Sequence, residues 1–192
     1  MNWTFSIRLN KWKEKHEQNR FFNESCVDQT VDVIVNAANP LLWPGDGVCG
    51  EIFRRANKLD LIIACSKYDT PLEDGSAVLT PACQIKNARF IIHAVGPDFG
   101  EKPTAYKELF AAYYNSLCVL KEYNLHSIAF SLISSGIYGG DLANPVAVST
   151  KQCCPAYKKF ISDYPDYPIE VRVCAYTTES MEQAKPIFDN VI

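Results

Sequence analysis

Two carboxamides, Asn36 and Asn39, close the β-branched run in VDVIVNAANPLLWPGDGVCGEI (31–52), and Gly45, Gly47 and Gly50 follow. Glycines let a backbone come close to a ligand. A helix starting near Gly47 points unpaired N–H groups and a partial positive charge at whatever lies ahead of it. The loop holds no Lys or Arg, and Asp46 is acidic. That combination suits a pyrophosphate diester, with one charge per phosphate, better than a terminal phosphate. A second loop, SLISSGIYGGD (131–141), has the same character. Ser134, Ser135, Gly136, Ile137 and Tyr138 offer hydroxyls and backbone donors, again without a cation. Two such loops facing each other clamp a diphosphate from both sides; spacing alone equally allows two ordinary turns.

Gly45-Asp46-Gly47-Val48-Cys49-Gly50 also matches G-x-G-x-x-G. The dinucleotide fingerprint needs its first glycine directly after a strand and an acid about twenty residues on. Here the apolar run ends near Val35, ten residues before Gly45. Asp60 and Asp69 lie at the wrong distances or in helical segments. A nicotinamide dehydrogenase is therefore a runner-up.

The elements that must carry these loops alternate. Trp3, Phe5, Ile7 and Leu9 read as a half-buried strand, and 11–20 is charged and helix-compatible. Val31 to Val35 is a continuous apolar run, as in a strand covered on both faces. Helix follows over 48–64, short strands over 77–81 and 90–95, and helix over 104–123 with Thr104 as N-cap. A strand over 127–133, a helix over 145–164, a strand over 169–176 and a helix over 180–191 complete the chain. Strands alternating with helices imply a mostly parallel, mixed sheet between two helical layers, an α/β/α sandwich formed as one domain over 1–192. Ligands in such sheets bind beyond the C-terminal ends of the strands. That selects 36–50, 134–141 and 176–180.

Composition sets limits. The chain has 192 residues, 47% hydrophobic and 21% charged, which is globular. A net charge of -3, from 19 basic and 22 acidic residues, argues against nucleic-acid binding by bulk electrostatics. No stretch approaches the ~20 apolar residues of a membrane helix, and the N-terminus lacks a signal peptide's apolar core. We expect a cytoplasmic monomer. The eight cysteines are scattered in apolar segments without C-x-x-C, and His16, His93 and His126 lie far apart. They read as buried small hydrophobes in a reducing compartment, with no local signal for a metal.

At NAAN, PGDGVCGEI, IIHAVGPDF and SLISSGIYGG, in that order, the chain resembles the macrodomains, α/β/α modules that bind ADP-ribose. The PGDGVC form of the first loop is most similar to the macrodomains of alphavirus non-structural proteins. The resemblance runs from about Ser25 to the last helix and implies roles residue by residue. Asn39 binds the distal ribose beside the scissile bond, next to Ala38, and Asn36 mainly braces the loop. Asp46, Gly47, Val48 and Cys49 surround the diphosphate and distal ribose. Ser134, Ser135, Gly136, Ile137 and Tyr138 form the second diphosphate loop, with Tyr138 near the distal ribose. Tyr176 lies against the adenine. His93 is structural. No cofactor or metal is implied, and the partner is ADP-ribose or an ADP-ribosylated protein.

Two positions depart from the family pattern. Where macrodomains carry an adenine-binding Asp before an Ile, this chain has Ser25 and Cys26; a one-residue gap would offer Glu24 instead. Where the cellular hydrolases carry an Asp assigned to water activation, this chain has Cys49. A thiol of reference pKa ~8.5 is a poor substitute for a carboxylate base. The resemblance implies instead that the substrate's own phosphate prepares the water, with Asn39 fixing the ribose, Tyr138 beside it and Asp46 an alternative base. Two functions follow: hydrolysis of mono-ADP-ribose from proteins or deacetylation of O-acetyl-ADP-ribose, or a module that reads ADP-ribose without cleaving it.

Overall fold

The computed structural model describes residues 20–22 and 24–191, with side chains over 24–190. Six strands form one sheet in the order β1-β6-β5-β2-β4-β3. They are β1 (Arg20–Phe22), β2 (Val33–Ala38), β3 (Ala77–Pro81), β4 (Phe90–Val95), β5 (Ser127–Ser131) and β6 (Glu170–Cys174). Every neighbouring pair is parallel except β3 with β4, so the sheet is mixed and mostly parallel, as expected. The helices are α1 (Gly47–Arg55), α2 (Lys58–Cys65), α3 (Tyr106–Glu122), α4 (Pro145–Asp163) and α5 (Thr178–Val191).

The strand expected over 31–35 is found as β2, starting two residues later and running on through Asn36 to Ala38, and the apolar character of its 33–35 stretch has a simple cause. Successive side chains of a strand point to opposite faces. Val33 and Val35 enter a core with Leu109, Tyr113 and Phe160 of α3 and α4. Ile34 and Ala38 enter a second core with Phe53 of α1 and Leu61 of α2. Each such fully buried large side chain contributes roughly 1.5–3 kcal/mol. The sheet is thus pinned from both sides, and only the ends of its strands are free to build a site.

Several boundaries differ from those expected. The helix over 48–64 is two helices. Asn57 breaks it with a left-handed backbone (φ 65) and caps α2 by accepting from the Leu59 amide at 3.2 Å. Helix α3 starts one residue later than Thr104 would set it: Ala105 occupies the N-cap position and no side chain caps the helix. The Thr104 carbonyl instead accepts from the Tyr106 amide at 2.8 Å, within a turn. Strand β5 ends at Ser131, because Leu132 accepts from the Ser135 amide and hydroxyl in a tight turn. Strand β1 was not foreseen. The alternating segment 3–9 and the charged segment 11–19 lie outside the described residues.

Behind the strand ends runs a buried polar chain. Asn36 and His93 are register partners on β2 and β4, both fully buried. The Asn36 carboxamide nitrogen lies 3.1 Å from His93 Nδ1, and His93 Nε2 lies 2.9 Å from Thr80 Oγ1 on β3. A neutral ring protonated on Nε2 satisfies both contacts. Burial accordingly pushes the His93 pKa down to about 4.

Because the folded pKa lies below the unfolded one, His93 stabilises the fold fully above about pH 6.5. That contribution is lost as pH falls from about 6.5 to about 4. We predict that urea unfolding shows a stability loss of up to about 3 kcal/mol between pH 7.5 and pH 4, of which His93→Gln removes the greater part. An unaltered pH profile in the variant would show that His93 does not carry it.

Candidate functional site

Where β2, β5 and β6 end, their loops enclose a cleft of about 850 Å³. One wall is the β2–α1 connection. Ala38, Asn39, Asp46, Gly47, Val48 and Cys49 line it. Asp46 occupies the N-cap position of α1, but its side chain makes no capping hydrogen bond. The first amides of α1 therefore stay available to a ligand in the cleft, and the helix dipole adds to their pull on an anion. The facing wall is the β5–α4 connection: Ser134, Ser135, Gly136, Ile137 and Tyr138. A 3-10 turn over Ile137–Gly139 begins there, and its leading N–H groups likewise have no intrahelical acceptor. Ser25, Cys26 and Tyr176 line the cleft too, and Tyr176 is 82% exposed.

Fourteen of the fifteen residues singled out from sequence thus share one cleft. Asn36 is the exception. It is fully buried behind the wall, tied to His93, and its carbonyl oxygen has no hydrogen-bond partner among the described residues. It supports the site and does not line it.

Local chemistry refines the other assignments. The serines were expected to offer hydroxyls to a ligand. Both hydroxyls instead donate to backbone: Ser134 Oγ to the Pro97 carbonyl at 2.8 Å and Ser135 Oγ to Leu132 at 2.7 Å. They shape the loop, and main-chain amides remain as its donors. Asn39 is engaged too. Its Oδ1 accepts from the amides of Leu41 (3.2 Å) and Trp43 (3.1 Å), and its Nδ2 donates to the Trp43 carbonyl at 2.8 Å. One N–H of that carboxamide stays free.

Burial pushes the Cys49 thiol up, and the charge of Asp46 adds to the rise. Hydrogen bonds with the Asn36 side chain and the Gly45 backbone pull the other way without reversing it. A protonated thiol is no base. Tyr138 is also raised, by burial first and then by Asp98, Asp74 and Glu101, so its phenol stays a neutral donor.

Sequence reasoning missed three charged residues in the lining: Asp28, Glu51 and Arg55. Arg55 Nε donates to Glu51 at 2.5 Å and its Nη1 to Asp28 at 2.6 Å. Arg54 and then Arg55 hold the Glu51 carboxyl at about 2. The four-residue spacing of Glu51 and Arg55 is a local signal for their pairing on α1. Nothing local joins Asp28 to Arg55, 27 positions apart. Among the described residues no three His, Cys, Asp or Glu side chains are grouped to hold a metal ion, and no helix is long and apolar enough to cross a membrane.

This architecture is that of a known family. The Macro domain model matches residues 35–148, and the chain belongs to the macrodomain family. A macro domain-containing protein of Streptomyces griseus is 39% identical over 137 residues, covering 69% of this chain and 76% of that protein. The polyprotein P1234 of a Sindbis virus subtype is 39% identical over 117 residues, 60% of this chain and 4% of the polyprotein. Mouse ADP-ribose glycohydrolase MACROD1 is 37% identical over 134 residues, 69% of this chain and 41% of that protein. Among solved structures, the Trypanosoma brucei macrodomain in complex with ADP-ribose superposes with a TM-score of 0.75 at 27% identity, covering 88% of this chain and 68% of that one.

Two glycines of the second loop differ in what they tolerate. A Cβ on Gly136 meets nothing within 4 Å, whereas one on Gly140 (φ +51) would run into the Gly100 backbone. We predict that Gly136→Ala leaves the thermal midpoint within about 1 °C, while Gly140→Ala destabilises by at least about 2 kcal/mol. Equal midpoints for the two variants would refute this backbone geometry.

Proposed function

We propose that this macrodomain binds ADP-ribose in the cleft and hydrolyses mono-ADP-ribose esters on proteins. The observation that carries the binding reading is the pair of cation-free walls whose free main-chain amides face one cleft. The diphosphate sits between the α1 amides and the 136–138 amides. Each charge-assisted hydrogen bond contributes about 1.5–3 kcal/mol, and the cost of association brings the net to the micromolar range, about -8 kcal/mol. The distal ribose lies between Asn39 and Tyr138, and Tyr176 covers the adenine.

The hydrolytic reading is supported by the likeness to MACROD1. Water attacks C1″ of the distal ribose, the bond from C1″ to the ester oxygen breaks, and the protein carboxylate leaves. The proton of the water passes to a phosphate oxygen of the substrate. Neither Cys49, protonated through burial, nor Asn39 acts as base; Asn39 orients the ribose through its remaining N–H. Deacetylation of O-acetyl-ADP-ribose in the same cleft has water attack the acetyl carbonyl carbon instead, with the ribose oxygen leaving as a hydroxyl and acetate freed. A non-catalytic reader is the second reading, and one observation favours it: three hydrogen bonds already commit Asn39 to the 41–43 loop. The protein acts as a cytoplasmic monomer in either case.

Label release from a mono-ADP-ribosylated protein distinguishes the two. The hydrolase reading expects turnover that falls at least ~10-fold in Asn39→Ala and stays within ~3-fold of the parent in Cys49→Ala. No release by the parent, with ADP-ribose still bound in calorimetry, establishes the reader. Gly136→Val, whose side chain would project into the open cleft, is expected to abolish ADP-ribose binding while the fold persists. Undiminished affinity would remove the cleft assignment.

A further inference from the structure

Resting on the ADP-ribose reading, we infer that the Asp28–Arg55 pair selects the base of the ligand, in the place of Ser25 or Glu24. Helix α1 supplies the geometry. Its first amides meet the diphosphate, and Arg55, its last residue, lies eight positions on, ~12 Å along the axis. That is the separation between a diphosphate and the far edge of an attached purine. Arg55 and Asp28 line the same cleft as Ser25 and Tyr176. Asp28 and Glu24 also lie close enough to the end of β6 for their charges to act on Cys174, two residues before Tyr176.

The alternatives are already engaged. Ser25 Oγ accepts from the Val27 amide at 3.3 Å, capping a short 3-10 helix over Cys26–Asp28. Glu24 Oε2 accepts from Gln29 Nε2 at 2.8 Å. Asp28 gives only Oδ1 to Arg55, and Oδ2 has no partner among the described residues. Arg55 gives Nε to Glu51 and Nη1 to Asp28, which leaves Nη2 without one. A carboxylate acceptor and a guanidinium donor therefore stand side by side, each held by the other. Adenine presents the complement, a 6-amino donor beside a ring-nitrogen acceptor. Hypoxanthine puts a carbonyl where the amino group was, and its lone pairs face the carboxylate.

The test is calorimetric titration of the whole chain with ADP-ribose and with inosine diphosphate ribose. The expected result is at least a 10-fold preference for ADP-ribose in the parent, reduced below 3-fold in Asp28→Asn and kept in Glu24→Gln. Arg55→Met, which leaves the carboxylate but removes the donor, is expected to reduce the preference too and serves if Asp28→Asn does not fold. Equal affinity of the parent for both ligands, or a full preference surviving in Asp28→Asn or Arg55→Met, overturns the assignment and leaves ADP-ribose binding standing. Binding of neither ligand overturns the function and this inference together.

Discussion

An amide buried without partners is expensive, and that single constraint organises the floor of the cleft. Asn36 sits inside the sheet where an apolar side chain would pack at no such cost. It is tolerated because β4 brings His93 into register beside it, and β3 brings Thr80 to the far side of the imidazole. Three strands thus share one polar chain. Its contacts form only in this register and so help to hold β2 against β4. Asn39, three residues on from Asn36, follows directly after the end of β2. The unpaired carbonyl of Asn36 and the buried thiol of Cys49 are the outermost part of this arrangement.

The proposed grip on a ligand rests on backbone rather than on side-chain charge. Cleft-lining charges are mostly acidic: Glu24, Asp28, Asp46 and Glu51 against Arg55. In the proposed binding mode an anion is therefore held by oriented N–H dipoles at two turns. The serines and Asn39 spend their hydrogen bonds on holding those turns in place. Family membership and the structural likeness to a macrodomain holding ADP-ribose agree with this geometry.

Much of this was legible in the sequence, for identifiable reasons. Strand β2 could be read because burial on both faces leaves an unbroken apolar run, and the parallel neighbours follow from the helices between them. The two glycine loops could be read because close backbone approach restricts residue type. What escaped has long-range or backbone causes. Asn57 breaks a helix by adopting a left-handed conformation that its neighbours do not announce. Ala105 opens α3 without any capping side chain, where Thr104 looked the better choice. The hydroxyls of Ser134 and Ser135 looked like ligand donors until Pro97 and Leu132 supplied acceptors. Asp28 meets Arg55 only because the chain between them forms β2 and α1.

Helix α1 touches the cleft at both of its ends, with free amides at Gly47 and a guanidinium at Arg55. It is anchored between them by Ile52 and Phe53 in the core. A rod so fixed behaves as a caliper. Its jaws cannot be brought closer without unpacking the helix from the sheet. Any molecule that touches both jaws at once has to match that fixed span.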